Sequence, residues 1–182
     1  MNLKKTILVD MDSIIADFLK GILDAYEAET GDRLTEEAVG QWDYVFPNGK
    51  DCYAYFSRPG FFRDLKPIPG AIEAIKAFQE AGHEVLIVSS ATLTNVPGEK
   101  FEWLSEFMPD FKRQDVMFVA RKEFVRGDVL IDDYPRNVEP WAKKNVWGKI
   151  YTLKYEYNKD CSAYDLRADN WDQIRAAVLM LP

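Results

Sequence analysis

Short apolar runs that end in acidic or hydroxyl residues punctuate the chain. Residues 6–9 lead into Asp10, residues 84–88 into Ser89 and Ser90, and residues 129–131 into Asp132 and Asp133. Runs of this length, rich in Val and Ile, predict buried strands. Residues 115–119 and 149–153 read as two more, which makes five. Between them the spacing becomes helical. Phe18, Leu19, Ile22, Leu23 and Tyr26 share one helix face, with Gly31 placed to end it. Ile72, Ala74, Ile75 and Phe78 mark a helix opened by Pro69-Gly70 and running to about residue 81. Further helices are expected over residues 97–107 and 170–181, the last with Asn170 as N-cap.

Strands alternating with helices predict a doubly wound α/β fold, Rossmann-like, with a mainly parallel five-stranded sheet covered on both faces. Residues 18–64 break that rhythm. They are irregular and aromatic, with a turn at Pro47-Asn48-Gly49. We read them as a small helical cap inserted after the first strand, the catalytic core being residues 1–17 and 65–182. In open parallel sheets ligands bind beyond the carboxyl ends of the strands. The three polar clusters fall at such ends.

Carboxylates crowded together repel one another and are costly to bury unless a cation compensates. Hard oxygen donors favour Mg²⁺, which shares its coordination with water and substrate phosphate. A carboxylate beside the metal, Asp10, can attack phosphorus and form an aspartyl-phosphate. A second, two residues later at Asp12, can protonate the leaving alcohol and then activate water. Ser89 and a lysine would hold the remaining phosphate oxygens. Each piece alone has a plainer reading: Asp-x-Asp is common turn chemistry, and Ser-Ser after a strand commonly caps a helix. The coincidence of three clusters at three strand ends favours the catalytic one.

The segments ILVDMDSIIADF, VLIVSSAT, a downstream lysine and GDVLIDDYPRN resemble the haloacid dehalogenase-like superfamily. DMDSIIADF, GFFRDLKPIPGAIEAIKAF, PGEKFEWLSEFMPDF, GDVLIDD and the closing NWDQI resemble its 5'(3')-deoxyribonucleotidase family, over almost the whole chain except residues 32–56. The resemblance implies an Mg²⁺-dependent phosphatase. Asp10 matches the nucleophile and a metal ligand. Asp12 matches the general acid/base, with its main-chain carbonyl on the metal. Asp133 matches the third protein ligand, supported by Asp132. Ser89, beside Ser90, matches a phosphate-binding hydroxyl that is usually threonine, and Phe18 an aromatic position near the nucleotide. Two lysines compete for the phosphate: Lys122, ten residues before Asp132, is the closer match, and Lys100 fits a looser superfamily spacing. Arg121 offers a further cation. One departure stands out: Ser13 occupies a position that is usually glycine, which puts the loop geometry in question.

Composition narrows the partners. The 182 residues are 47% hydrophobic, enough for a sizeable core, and carry a net charge of −7 with a pI near 4.8. No basic stripe suits polymeric nucleic acid. Cys52 and Cys161 lack metal-ligand spacing and suggest no disulfide framework, which points to a reducing compartment. The apolar run after Lys4-Lys5 is too short for a secretion signal, and no run approaches the ~18 residues that span a bilayer. A cytoplasmic chain with no membrane partner is expected. A homodimer is left open. Of the aromatics crowding the inserted segment, most are expected to be core, with Trp42 and Tyr44 chosen to stack on a base. His83, in a Gly-His turn, reads as solvated. The expected activity is hydrolysis of nucleoside monophosphates. Rivals are a phosphatase of phosphosugars or other small phosphomonoesters, a phospho-accepting receiver module, and a catalytically silent binding protein. Receivers carry their adjacent acidic pair after the first strand, whereas here it follows the fourth.

Overall fold

All paired strands run in the same direction. In the computed structural model, which describes residues 3–41 and 43–182, β1 (Thr6–Val9) lies between β2 (Glu84–Ser89) and β4 (Val129–Ile131). β3 (Val116–Phe118) pairs outside β2, while β5 (Lys149–Leu153) and β6 (Leu166–Ala168) extend the sheet beyond β4. The order is β3-β2-β1-β4-β5-β6. This is the parallel α/β sheet expected, with one correction: it has six strands, not five. β6 is three residues long with only one fully buried position, so it carries no apolar run to announce it.

Strand alternation divides the core into two layers. Ile7, Val9, Ile87, Val129 and Ile131 face one cluster, which includes residues of α1 (Phe18–Thr30), α3 (Ala71–Glu80), α4 (Val96–Phe107) and α6 (Trp171–Leu179). Leu8, Val88, Leu130 and Ile150 face the other, closed by Val138 and Trp141 of α5 (Pro135–Lys144). α1 forms because Phe18, Leu19, Ile22, Leu23 and Tyr26 bury one face, and it stops where Gly31 takes φ +77° and donates its N–H to Glu27 O. Asn170 caps α6 by accepting from the Gln173 N–H at 3.2 Å. α5 was not foreseen. Its sequence holds two prolines and only two buried residues, so it reads as a turn; Pro135 instead occupies the first helical turn, where its missing N–H costs nothing.

Between β1 and α3 the chain makes its long excursion. It holds α1, a turn of 3-10 helix at Glu36–Ala38, a bridge between Val45 and Asp51, and α2 (Tyr53–Phe56). Phe46 is its centre, stacked on Tyr26 at 5.0 Å and edge-on to Tyr55 at 5.1 Å. These rings continue the main core cluster. Trp42 lies outside the described residues. His83 is not solvated as its Gly-His context suggested. It is buried at the start of β2, where Nδ1 accepts from the Lys5 N–H at 3.3 Å. Among the described residues no helix is long and apolar enough to cross a membrane.

Candidate active site

From β1 the chain crosses first to β2 on one side and later to β4 on the other. The carboxyl ends of these three strands therefore flank a topological switch point. Asp10 extends the ladder by donating its N–H to Ile131 O at 2.8 Å, which fixes it beside Asp132. Carboxylate oxygens of Asp10, Asp132 and Asp133 lie within 4.8 Å of one another, and all three residues are buried.

Two buried lysines reach these aspartates, each on different partners. Lys122, from a turn at Lys122–Phe124, bridges Asp10 Oδ2 at 2.8 Å and Asp132 Oδ2 at 2.7 Å. Lys100, in α4, donates to Asp12 Oδ2 at 2.7 Å, Ser89 Oγ at 2.8 Å and Ser90 O at 2.9 Å. All three ammonium hydrogens of Lys100 are thus placed. Ser89 is fully buried and accepts from Lys100, which leaves its own hydroxyl proton to donate. Asp132 also accepts from the Tyr134 N–H at 2.9 Å and from Asn137 Nδ2. Asp133 Oδ2 accepts from the Tyr157 hydroxyl at 2.5 Å.

Burial pushes the Asp133 carboxyl well above the usual range, and the neighbouring Asp132 and Asp10 add to the shift. Burial also raises Asp132 and Asp12, against the opposing pull of Lys122 and Lys100 respectively. Burial alone would depress Lys122, but Asp10 and Asp132 outweigh it and hold its pKa above the ordinary lysine value.

These charges do not balance. Among the described residues, the ion pairs made by Asp10, Asp12 and Asp132 go to Lys100 and Lys122, while Arg136, across the cavity, pairs with Asp43; four carboxylates against two paired lysines leave two negative charges over when all are ionised. Asp12 Oδ1 is buried without a hydrogen-bond partner. An all-oxygen donor set with that deficit suits a hard divalent cation such as Mg²⁺.

Above the carboxylates opens a cavity of about 400 Å³. Asp10, Asp12 and Asp133 line it, with Phe18, Phe56 and Phe62 from one side and Tyr134, Arg136 and Asn137 from the other. Ser90 lines it, whereas Ser89, Lys100, Lys122 and Asp132 are not among the lining residues. Phe18 lines the same cavity as the carboxylates and packs on Phe62 at 5.9 Å. Tyr44 is not among the lining residues; its ring packs edge-on to Phe46 at 4.9 Å. Arg121 turns away, pairing with Glu123 at 2.7 Å and lying over the Phe124 ring. Sequence reasoning missed Phe56, Phe62, Tyr134, Arg136, Asn137 and Tyr157. Three of these directly follow Asp132-Asp133, where the helical start at Pro135 was the unread signal.

The family described as 5' nucleotidase, deoxy (pyrimidine), cytosolic type C matches residues 4–181. A Staphylococcus aureus protein named as a candidate 5'(3')-deoxyribonucleotidase is 37% identical over 163 residues, covering 86% of this chain and 87% of that one. A Bordetella pertussis protein of the same name is 32% identical over 183 residues, with 95% and 96% covered. The fold is similar to that of a crystallised haloacid dehalogenase family hydrolase from Deinococcus radiodurans, with a TM-score of 0.65 at 15% identity over 98% of each chain.

Proposed function

The chain belongs to the 5' nucleotidase, deoxy (pyrimidine), cytosolic type C family, and from that membership we propose that it hydrolyses deoxynucleoside monophosphates by way of a phosphorylated Asp10. The observation that carries this reading is the meeting of Asp10, Asp12, Asp132, Asp133, Lys100 and Lys122 under one aromatic-walled cavity.

Asp10 is the nucleophile. Its Oδ1 accepts from the Met11 N–H at 2.7 Å and its Oδ2 from Lys122, so the carboxylate is held in one orientation before substrate arrives. Asp12 is the general acid and base. Burial raises its pKa, which favours the protonated form that a leaving nucleoside alkoxide needs. Once the nucleoside departs, the same carboxylate takes a proton from the water that attacks the aspartyl-phosphate. Lys100 keeps Asp12 in place and tethers it to Ser89 at the end of β2. Ser90, which lines the cavity, and Lys122, two of whose ammonium hydrogens are taken by Asp10 and Asp132, would supply donors for the non-reacting phosphate oxygens, with Lys100 and Ser89 supporting them from beneath. Asp10 and Asp133, with the Asp12 main-chain carbonyl, would hold Mg²⁺, and Asp132 supports them. Bound there, the cation neutralises charge on the carboxylates and the phosphoryl group.

Residues 18–64 act as the cap. Phe18, Phe56 and Phe62 all lie within that segment, and together they give a flat base an apolar surface directly above the carboxylates. Cytosolic location, which the family's name carries, is part of the same reading.

The test is phosphate release across a panel of deoxy- and ribonucleoside monophosphates and sugar phosphates, with and without Mg²⁺. Preference for a deoxynucleoside monophosphate, lost on chelation, is expected. Equal, feeble activity on all members would count against a nucleotidase.

A further inference from the structure

The connection between β5 and β6 reaches the carboxylates although nothing in its sequence, YEYNKDCSAYD, resembles a catalytic motif. Tyr155 and Tyr157 stack face to face there, at 5.1 Å and 5° between planes. Their hydroxyls part at the tips. Tyr155 donates to Ser13 O at 2.7 Å, and Tyr157 to Asp133 Oδ2 at 2.5 Å. The same connection holds the Asp133 main chain: Tyr164 donates to Asp133 O at 2.8 Å, and Asn158 Nδ2 to the same oxygen at 3.3 Å. Asn158 is itself buried and tied to Leu153 O at 3.0 Å, so the brace is anchored to the end of β5.

The division of donors is informative. Lys122 serves Asp10 and Asp132 with positive charge. Asp133 is met by a neutral donor instead. A phenol orients a carboxylate without cancelling its charge, and one oxygen is left for a cation. A lysine in the same place would compete with the metal.

We propose that Tyr157 is a positioning residue of the metal site, setting the affinity for a divalent cation by holding the Asp133 carboxylate through Oδ2. This rests on the reading of Asp133 as a metal ligand and is independent of which phosphomonoester is hydrolysed.

Mg²⁺ binding by the substrate-free protein, followed by calorimetric titration, tests it in the wild type, Tyr157→Phe and Tyr164→Phe. Both variants lose one tyrosine hydroxyl bonded to Asp133, but only Y157F loses the bond to the carboxylate. Y157F is expected to weaken Mg²⁺ binding by about tenfold or more, and Y164F by less than about twofold. Unchanged affinity in Y157F, or equal loss in the two variants, overturns the proposal while leaving the metal site standing. Absence of binding in the wild type overturns both. Should Y157F fail to fold, the unmutated protein still decides: the ring NMR signals of Tyr157 are expected to shift on Mg²⁺ addition more than those of Tyr164, and no such difference contradicts the assignment.

Discussion

Ser13 has φ +55°, a left-handed backbone that glycine adopts freely and other residues rarely do. Its sequence position raised doubt about the loop; main-chain hydrogen bonds hold this conformation, while the buried Oγ has no hydrogen-bond partner. Its N–H donates to Ala16 O at 2.8 Å, and its carbonyl accepts from Tyr155. Ser13→Gly is therefore expected to change stability by less than about 1 kcal/mol, relief of strain being offset by greater freedom of the unfolded chain. Ser13→Val, branched at Cβ and larger at a fully buried position, is expected to cost about 1–3 kcal/mol. Urea denaturation separates the two. The buried carboxylates make a second residue-scale prediction. Burial raises the pKa of Asp12, Asp132 and Asp133 in the folded chain, so the fold binds protons there that the unfolded chain has released. These groups oppose folding at neutral pH, and the penalty falls as acid protonates them. A bound cation relieves the same penalty but competes with those protons. Added Mg²⁺ is expected to raise the melting temperature most near pH ~7.5 and progressively less toward pH ~5. Scanning calorimetry at several pH values checks it; a constant shift would mean that the metal does not bind these carboxylates.

At the scale of elements, buried side chains on the helices pin the loops that carry the chemistry. Trp171 of α6 donates its indole N–H to Ile14 O at 2.8 Å, in the loop after β1. Trp141 of α5 does the same to Val125 O at 2.9 Å, just past Lys122, and Trp103 of α4 to Leu65 O at 2.9 Å, where the excursion returns. Glu99 of α4 is the charged counterpart. Buried beside Lys100, it accepts from the Gly60 N–H at 2.8 Å and the Phe62 N–H at 3.1 Å. It thereby places the Phe62 ring 4.9 Å from the Lys100 ammonium. Glu99→Ala strands two buried donors and is expected to destabilise the fold by about 2–4 kcal/mol. Glu99→Gln, which keeps an acceptor, should cost less. Equal losses in chemical denaturation would show that Glu99 contributes packing rather than these hydrogen bonds.

Across the whole molecule, the legible parts were those whose signal is local. Apolar runs at β1, β2 and β4 announced the strands, and the acidic and hydroxyl residues ending them announced where chemistry would gather. β6 and α5 were missed because neither carries a run or a stripe: one is three residues of edge strand, the other a proline-rich helix burying Val138 and Trp141. The site was legible in its carboxylates and in both lysines, whose spacing alone did not reveal that Lys100 and Lys122 serve different aspartates. Tyr157, 24 residues beyond Asp133, was invisible because only the pairing of β5 with β4 and β6 brings its segment to the strand ends. The aromatics of the excursion share one composition, so position in the fold alone separates Phe56, which lines the cavity, from Tyr44, which does not.

The proposed mechanism turns on one oxygen of Asp10 attacking phosphorus. The direct measurement is to acid-quench the protein during turnover of a deoxynucleoside monophosphate with Mg²⁺, reduce it with borohydride and sequence its peptides by mass spectrometry. An acyl phosphate is reduced to the alcohol, so homoserine is expected at position 10, and it should be absent without substrate and in Asp10→Asn, which should stay folded but release no phosphate. Unmodified Asp10 in the quenched protein, together with near-normal phosphate release by Asp10→Asn, would contradict a nucleophilic Asp10.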